Sequence, residues 1–199
     1  MDEPIAMFLA AQRAYGDRVH AITEAQWSAP TPDTEWTVAD LVAHLVDEHR
    51  WLPPLMHGLD LAAAGEVVAG TRDLPVDGGV GANLAESWDE AAIGSADAVV
   101  EPEALERSVE LSTGPTPARD YLREMTTDLI VHAWDLGTAL GLTDPLADDL
   151  VAFALAEVSK WGDMSGTSYF GAPVPVPDDA PAITKLVAAT GRNPTWSAN

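Results

Sequence analysis

Apolar residues recur along most of this chain at three- and four-residue intervals, the spacing that lines one face of an α-helix. The first such stretch runs from about Asp2 to Ala25, with Ile5, Phe8, Leu9, Val19 and Ile22 on its apolar side. A second begins after Thr37, a capping residue with Asp40 three positions on, and reaches Trp51 or Leu52 before Pro53–Pro54. Asn83 followed by Glu86 opens a third, to about Val100. Thr116–Pro117 opens a fourth that Gly141 ends, and Asp144–Pro145 a fifth, to about Trp161. A short helix over Ala182–Thr190 precedes Gly191. Between these, residues 58–82 read as loop, 105–111 as a short extended piece, and FGAPVPVPDDAP (170–181) as an extended strap. The pattern predicts an all-α bundle in a single domain spanning 1–199.

Two interruptions of the apolar stripes carry the chemistry. In the fourth stretch, around MTTDLIVHAWDLG (125–137), the stripe Leu122, Met125, Leu129, Leu136, Leu140 has His132 in its missing slot, with Asp128 one turn earlier. In WTVADLVAHLVDEHRW (36–51) the stripe Leu41, Leu45, Leu52 is completed by Glu48, with His44 beside it. Residues four apart on a helix are neighbours, so each histidine shares a face with a carboxylate. Titratable groups on core-facing stripes cost several kcal/mol unless each finds a partner. A metal ion held between the two helices satisfies them, and so does a histidine–carboxylate hydrogen bond; spacing alone does not choose.

The other histidines fit less well. His49 turns from the His44 face and is expected at the surface. His57 follows the proline pair, and His20 has no acid on its own face. Arg50, Arg123 and Arg192 are expected in surface ion pairs, with the carboxylates of a cofactor as the alternative partners, and Trp36, Trp51 and Trp134 in core or pocket wall.

Composition narrows the function. A formal net charge of −22 repels phosphate backbones and anionic membranes, which excludes nucleic-acid binding. No apolar run is long enough for a membrane span. The N-terminus is acidic rather than basic, so a cytoplasmic protein is expected. Cysteine is absent, which removes disulfides, a thiolate nucleophile and sulfur ligands. Neither a Gly-x-Ser-x-Gly elbow nor a phosphate-binding glycine loop is present. A di-iron carboxylate site needs a different set of glutamates and Glu-x-x-His pairs.

WTVADLVAHLV (36–46), VHAWDLGTALG (131–141) and the tail from Phe170 to Trp196 together resemble an actinobacterial metal-binding family of the DinB/YfiT-like superfamily. That family stands alongside the N-terminal domain of mycothiol-dependent maleylpyruvate isomerase. The resemblance implies a DinB-like four-helix bundle with an added C-terminal helix and strap. It further implies a divalent metal on three protein ligands with solvent at the open positions. Carried onto this chain, the ligands are His44, Asp128 and His132. The isomerase has glutamate where this chain has the shorter Asp128, which makes Glu48 the substitute or supporting group. Zinc suits the set, and nickel or iron are admitted.

The implied function is a metal-dependent thiol S-transferase or isomerase, with mycothiol as cosubstrate and a small electrophile as substrate. A metal- or ligand-binding protein without turnover and a metal hydrolase are the alternatives. The pattern leaves monomer and homodimer equally open.

Overall fold

A computed structural model describes residues 2–33, 36–72, 79–162 and 170–198. In chain order the elements are α1 (Glu3–Val19), α2 (Val38–Met56), α3 (Leu61–Arg72), α4 (Gly79–Val99), β1 (Ser108–Leu111), β2 (Gly114–Pro117), α5 (Ala118–Ala139), α6 (Asp148–Val158) and α7 (Ala182–Ala189). Short 3₁₀ turns cover Glu24–Gln26 and Ala104–Glu106. No helix is long and apolar enough to cross a membrane among the described residues.

Four helices build the bundle. α2 packs along α4 and α1 along α5, and contacts of α1 with α4 and of α2 with α5 close the ring. Each contributes a stripe at helical spacing to one core: Phe8, Ala11 and Tyr15 from α1; Leu41, Leu45 and Leu52 from α2; Trp88, Ala91 and Ala98 from α4; Leu122, Leu129 and Leu136 from α5. Gln12 ties α1 to α4 through the Ala92 carbonyl and Ser95 Oγ, each at 2.9 Å. α5 is buried over most of its circumference because α6 covers another side, and α7 packs on α6. The β1–β2 hairpin pairs Val109 with Thr116 ahead of α5. The fold is the all-α bundle that the spacing predicts.

Several boundaries differ from expectation. α2 runs through Pro53 and Pro54 to Met56. The prolines forfeit two backbone hydrogen bonds, but Leu52, Leu55 and Met56 are buried, and Arg107 Nη1 donates to the Met56 carbonyl at 3.0 Å. Tertiary packing outweighs the break. Residues 61–72, expected as loop, form α3, and α4 begins at Gly79 rather than Asn83; residues 73–78 of that loop lie outside the described residues. α1 stops at Val19, where the Thr23–Gln26 capping box starts a separate 3₁₀ turn. α6 is shorter than expected at both ends. The strap lies extended and is fastened by Val174 N–H donating to the Ala188 carbonyl.

Candidate metal centre

The site forms where the middles of α2 and α5 meet. The Thr37–Asp40 capping box starts α2 (Asp40 N–H to Thr37 Oγ1, 3.2 Å), and His44 follows two turns on. Just upstream, Thr31 N–H and its hydroxyl donate to the Trp36 carbonyl, folding the loop back. That loop lays the Trp36 ring 4.7 Å from the His44 ring and 5.8 Å from the His132 ring, measured between centroids. α5 supplies Asp128 and His132 from successive turns.

The structure brings the three residues together. His44 Nε2 lies 3.7 Å from Asp128 Oδ2, and His132 Nε2 lies 3.3 Å from Asp128 Oδ1. One donor atom from each lies within 4.8 Å of those of the other two. Tetrahedral zinc at about 2.1 Å from each donor needs ligand–ligand edges of roughly 3.4 Å. The two nitrogen–oxygen separations bracket that value, so the donor set fits a small divalent cation in spacing and in chemistry. The His44 and Asp128 side chains are 28% and 25% exposed, against 4% for His132. The cluster therefore has a dry side at His132 and a partly solvent-exposed side at His44 and Asp128.

Electrostatics point the same way. Burial alone pushes the Asp128 carboxyl up, but the charge and hydrogen bond of His132, then those of His44, hold it far below the usual carboxylate range. Burial likewise disfavours the His132 imidazolium, and Asp128, followed by Asp135, lifts it to about 9. A pocket that holds a proton this firmly suits a metal cation for the same reason. Glu48 stands outside the three-residue set. Its carboxyl is raised by burial and by the charge of Asp128, partly offset by the two histidines. Burial, then nearby carboxylates, raises the phenols of Tyr15 and Tyr121, so both stay protonated.

Behind His132 stands a layer that sequence reasoning missed. Asp135, fully buried, accepts from His132 Nδ1–H at 3.0 Å. Arg192 grips Asp135 through Nε (3.2 Å to Oδ2) and Nη2 (3.0 Å), and Nη2 also reaches Asp33 Oδ2 at 2.7 Å. Asp33, His132 and Asp135 also lie close enough to hold an ion, but the guanidinium already occupies that position. Arg192 is 5% exposed, which corrects the expectation of a surface ion pair. Asp135 had a signal, the three-residue step from His132. Arg192, 57 positions away in sequence, had none.

The remaining candidates sort plainly. His49 is fully buried, not at the surface: it stacks against Phe8, packs edge-on to Trp88, and its Nδ1–H donates to the Leu45 carbonyl. Leu41, Leu45, His49 and Leu52 also make a helical stripe, so His49 and Glu48 both satisfy the core spacing and both turn inward. His20 pairs with Asp89 of α4 and His57 with Glu101, away from the cluster. Arg123 bridges exposed Glu3 and buried Glu157, so only one of its two ion pairs lies at the surface as expected.

Comparison with known proteins places this architecture. An uncharacterized protein of Mycobacterium tuberculosis, found in two strains, is 27% identical over 200 residues, covering 96% of this chain and 98% of its own length. The crystal structure of the mycothiol-dependent maleylpyruvate isomerase shares the fold, with a TM-score of 0.61 at 18% identity over 84% of this chain and 73% of that one. A histidine-to-alanine mutant of that enzyme superposes equally, at 0.60 and 17%. The family model described as the mycothiol maleylpyruvate isomerase N-terminal domain matches residues 8–137, which include His44, Asp128, His132 and Asp135. With more than half of its length so matched, this chain belongs to the mycothiol maleylpyruvate isomerase N-terminal domain family.

Proposed function

We propose that this protein is a divalent-metal-dependent enzyme that activates a low-molecular-weight thiol, mycothiol, for transfer to or isomerisation of a small electrophile. One observation carries the reading: two imidazoles and a carboxylate from separate helices converge within 4.8 Å, with solvent on one side only. His44, Asp128 and His132 are the proposed ligands, and zinc is the metal the set suits. Bound there, a divalent cation supplies a Lewis acid that favours thiolate over thiol at neutral pH. The chain's own groups do the rest. With Nδ1–H committed to Asp135, Nε2 is the His132 atom left to hold the metal, its proton giving way to the cation. Asp128 contributes the negative charge, and the Trp36 ring walls the imidazoles on one side. His44 and Asp128 border the open front, where thiol and electrophile meet. Membership of a family named for a mycothiol-dependent isomerase supports mycothiol as the thiol, and the absence of cysteine is consistent with sulfur arriving on a cosubstrate.

Elemental analysis of the purified protein beside His44→Ala and His132→Ala tests the site: about one equivalent of metal in the parent and loss from both variants is expected. Full retention in both overturns it. A panel of electrophiles with and without thiol then tests the chemistry. Turnover only with thiol supports the transferase or isomerase. Turnover without thiol indicates a hydrolase, and metal with no turnover a binding protein.

A further inference from the structure

We infer that the segment following α7 is a clamp on the metal centre, in which Arg192 acts through Asp135 as a positioning residue for His132. The inference rests on the metal reading above and adds to it a part of the chain outside the family match, which ends at residue 137.

The geometry is that of a carboxylate–histidine–metal triad extended by one further residue. Imidazole can place its proton on either nitrogen. Asp135 accepts from Nδ1–H at 3.0 Å, which fixes the ring's orientation and leaves Nε2 as the atom turned toward Asp128 and His44. An ionised carboxylate with no exposure is unstable without a cation, and Arg192 is that cation, with Nε and Nη2 both on Asp135. The guanidinium is itself held firmly. Nη1 donates to the Thr190 carbonyl at 2.9 Å, Nη2 to Asp33 at 2.7 Å, and the Phe170 ring lies 5.6 Å away beneath the charge. Its backbone is fixed by the turn that ends α7, with Arg192 N–H on the Val187 carbonyl at 2.8 Å and Gly191 at φ +84° crossing Gly171. Asp33 comes from the loop that also carries Trp36, so Arg192 joins the tail, that loop and α5 around one imidazole. A surface ion pair has none of these properties.

Two results follow. Breaking the clamp weakens metal binding while the three ligands remain, by about 10- to 100-fold, the range for groups that orient a metal-bound histidine. Coupling is reciprocal, so metal tightens the docked tail by the same factor. Zinc affinity is to be measured by competition with a chelator for the parent, His132→Ala, Asp135→Asn, Arg192→Gln and Arg192→Lys. Arg192→Gln and Asp135→Asn are expected to lose 10- to 100-fold, and Arg192→Lys, which keeps the charge but not the two-pronged grip, less. On the unaltered chain, zinc is expected to slow hydrogen exchange at the Thr190, Gly191 and Arg192 amides by a similar factor. This second measurement needs no variant to fold. If the parent binds zinc and His132→Ala does not, while Arg192→Gln and Asp135→Asn bind like the parent or exchange ignores zinc, the clamp is overturned and the metal site stands. If the parent binds no zinc, or His132→Ala binds it equally, the metal reading falls and the clamp with it.

Discussion

Asp128 is the residue on which the two histidines depend. Each of its oxygens faces a different imidazole, at 3.7 and 3.3 Å, so it is the only carboxylate of the described cluster shared by both. Glu48 is coupled to the cluster by charge but lies outside the set of donor atoms. Asp128→Asn is therefore expected to cost at least tenfold in zinc affinity, and Glu48→Gln little, both read by chelator competition; the reverse order would make Glu48 the ligand. His49 shows a different use of a buried imidazole. Burial holds it down to about 4, against the pull of the Leu45 carbonyl and the Asp128 charge, and its Nε2 has no hydrogen-bond partner among the described residues. The unfolded chain, ordinary at about 6.5, takes up the proton first. This contribution is thus intact above about pH 6.5 and lost as pH falls toward 4, on the order of 3 kcal/mol in all. Denaturant melts of the parent and His49→Gln over pH 4–7 should show the parent losing stability more steeply with acid. Equal slopes would mean that His49 is not buried neutral.

At the scale of elements, the sequence marked helices well where a stripe was long and poorly where few residues face inward. Among the described side chains of α3 only Ala64 and Val68 are buried, and its Gly65 lies under Trp51, so its signal was two small side chains among glycines. The proline pair misled for the opposite reason: what continues α2 is burial of Leu55 and Met56 by distant parts of the chain, which no local rule contains. Helix ends at glycine were legible, yet the two terminal glycines are not equivalent. A Cβ at Gly141, φ +69°, would meet nothing within 4 Å, whereas one at Gly191, φ +84°, would meet Gly171 backbone atoms at 2.6 Å. Gly141→Ala should cost only the left-handed conformation, about 1–2 kcal/mol, a drop of roughly 2–8 °C in a domain of this size. Gly191→Ala should cost more and should also lower zinc affinity, because it displaces Arg192. Equal melting losses for the two, by calorimetry, would show that the strap and α7 are not locked together.

At the scale of the molecule, the spacing of His44, Asp128 and His132 was readable because helices put short-range patterns on faces. Asp33 and Arg192 were not, because only the folded chain brings residues 159 apart to 2.7 Å. Charge decides what such a site admits. The chain carries 32 acids against 10 basic residues. Glu124 and Asp120 lie on α5 ahead of Asp128, and Glu48 lies across from it on α2; after burial, the Asp128 charge raises the Glu48 carboxyl, the Asp120 charge raises the Glu124 carboxyl, and Glu48, Glu124 and Asp128 raise the Tyr121 phenol. Arg192, which feels the Asp128 charge, is committed to Asp33 and Asp135. An anionic electrophile approaching the front of the site therefore meets these carboxylates, Arg192 behind the site is already neutralised, and the attraction left is that of the proposed divalent ion, which Asp128 offsets in part. Under the proposed function, kcat/KM for a dicarboxylate electrophile should fall roughly tenfold or more below that for its diester at low ionic strength, beyond any difference in their uncatalysed reaction with the same thiol. Raising salt from about 10 to 150 mM shortens the screening length from roughly 30 to 8 Å, so it should speed the dianion and leave the diester nearly unchanged. A dianion preferred at low salt would mean that the charge of the proposed divalent ion outweighs the carboxylates around the site.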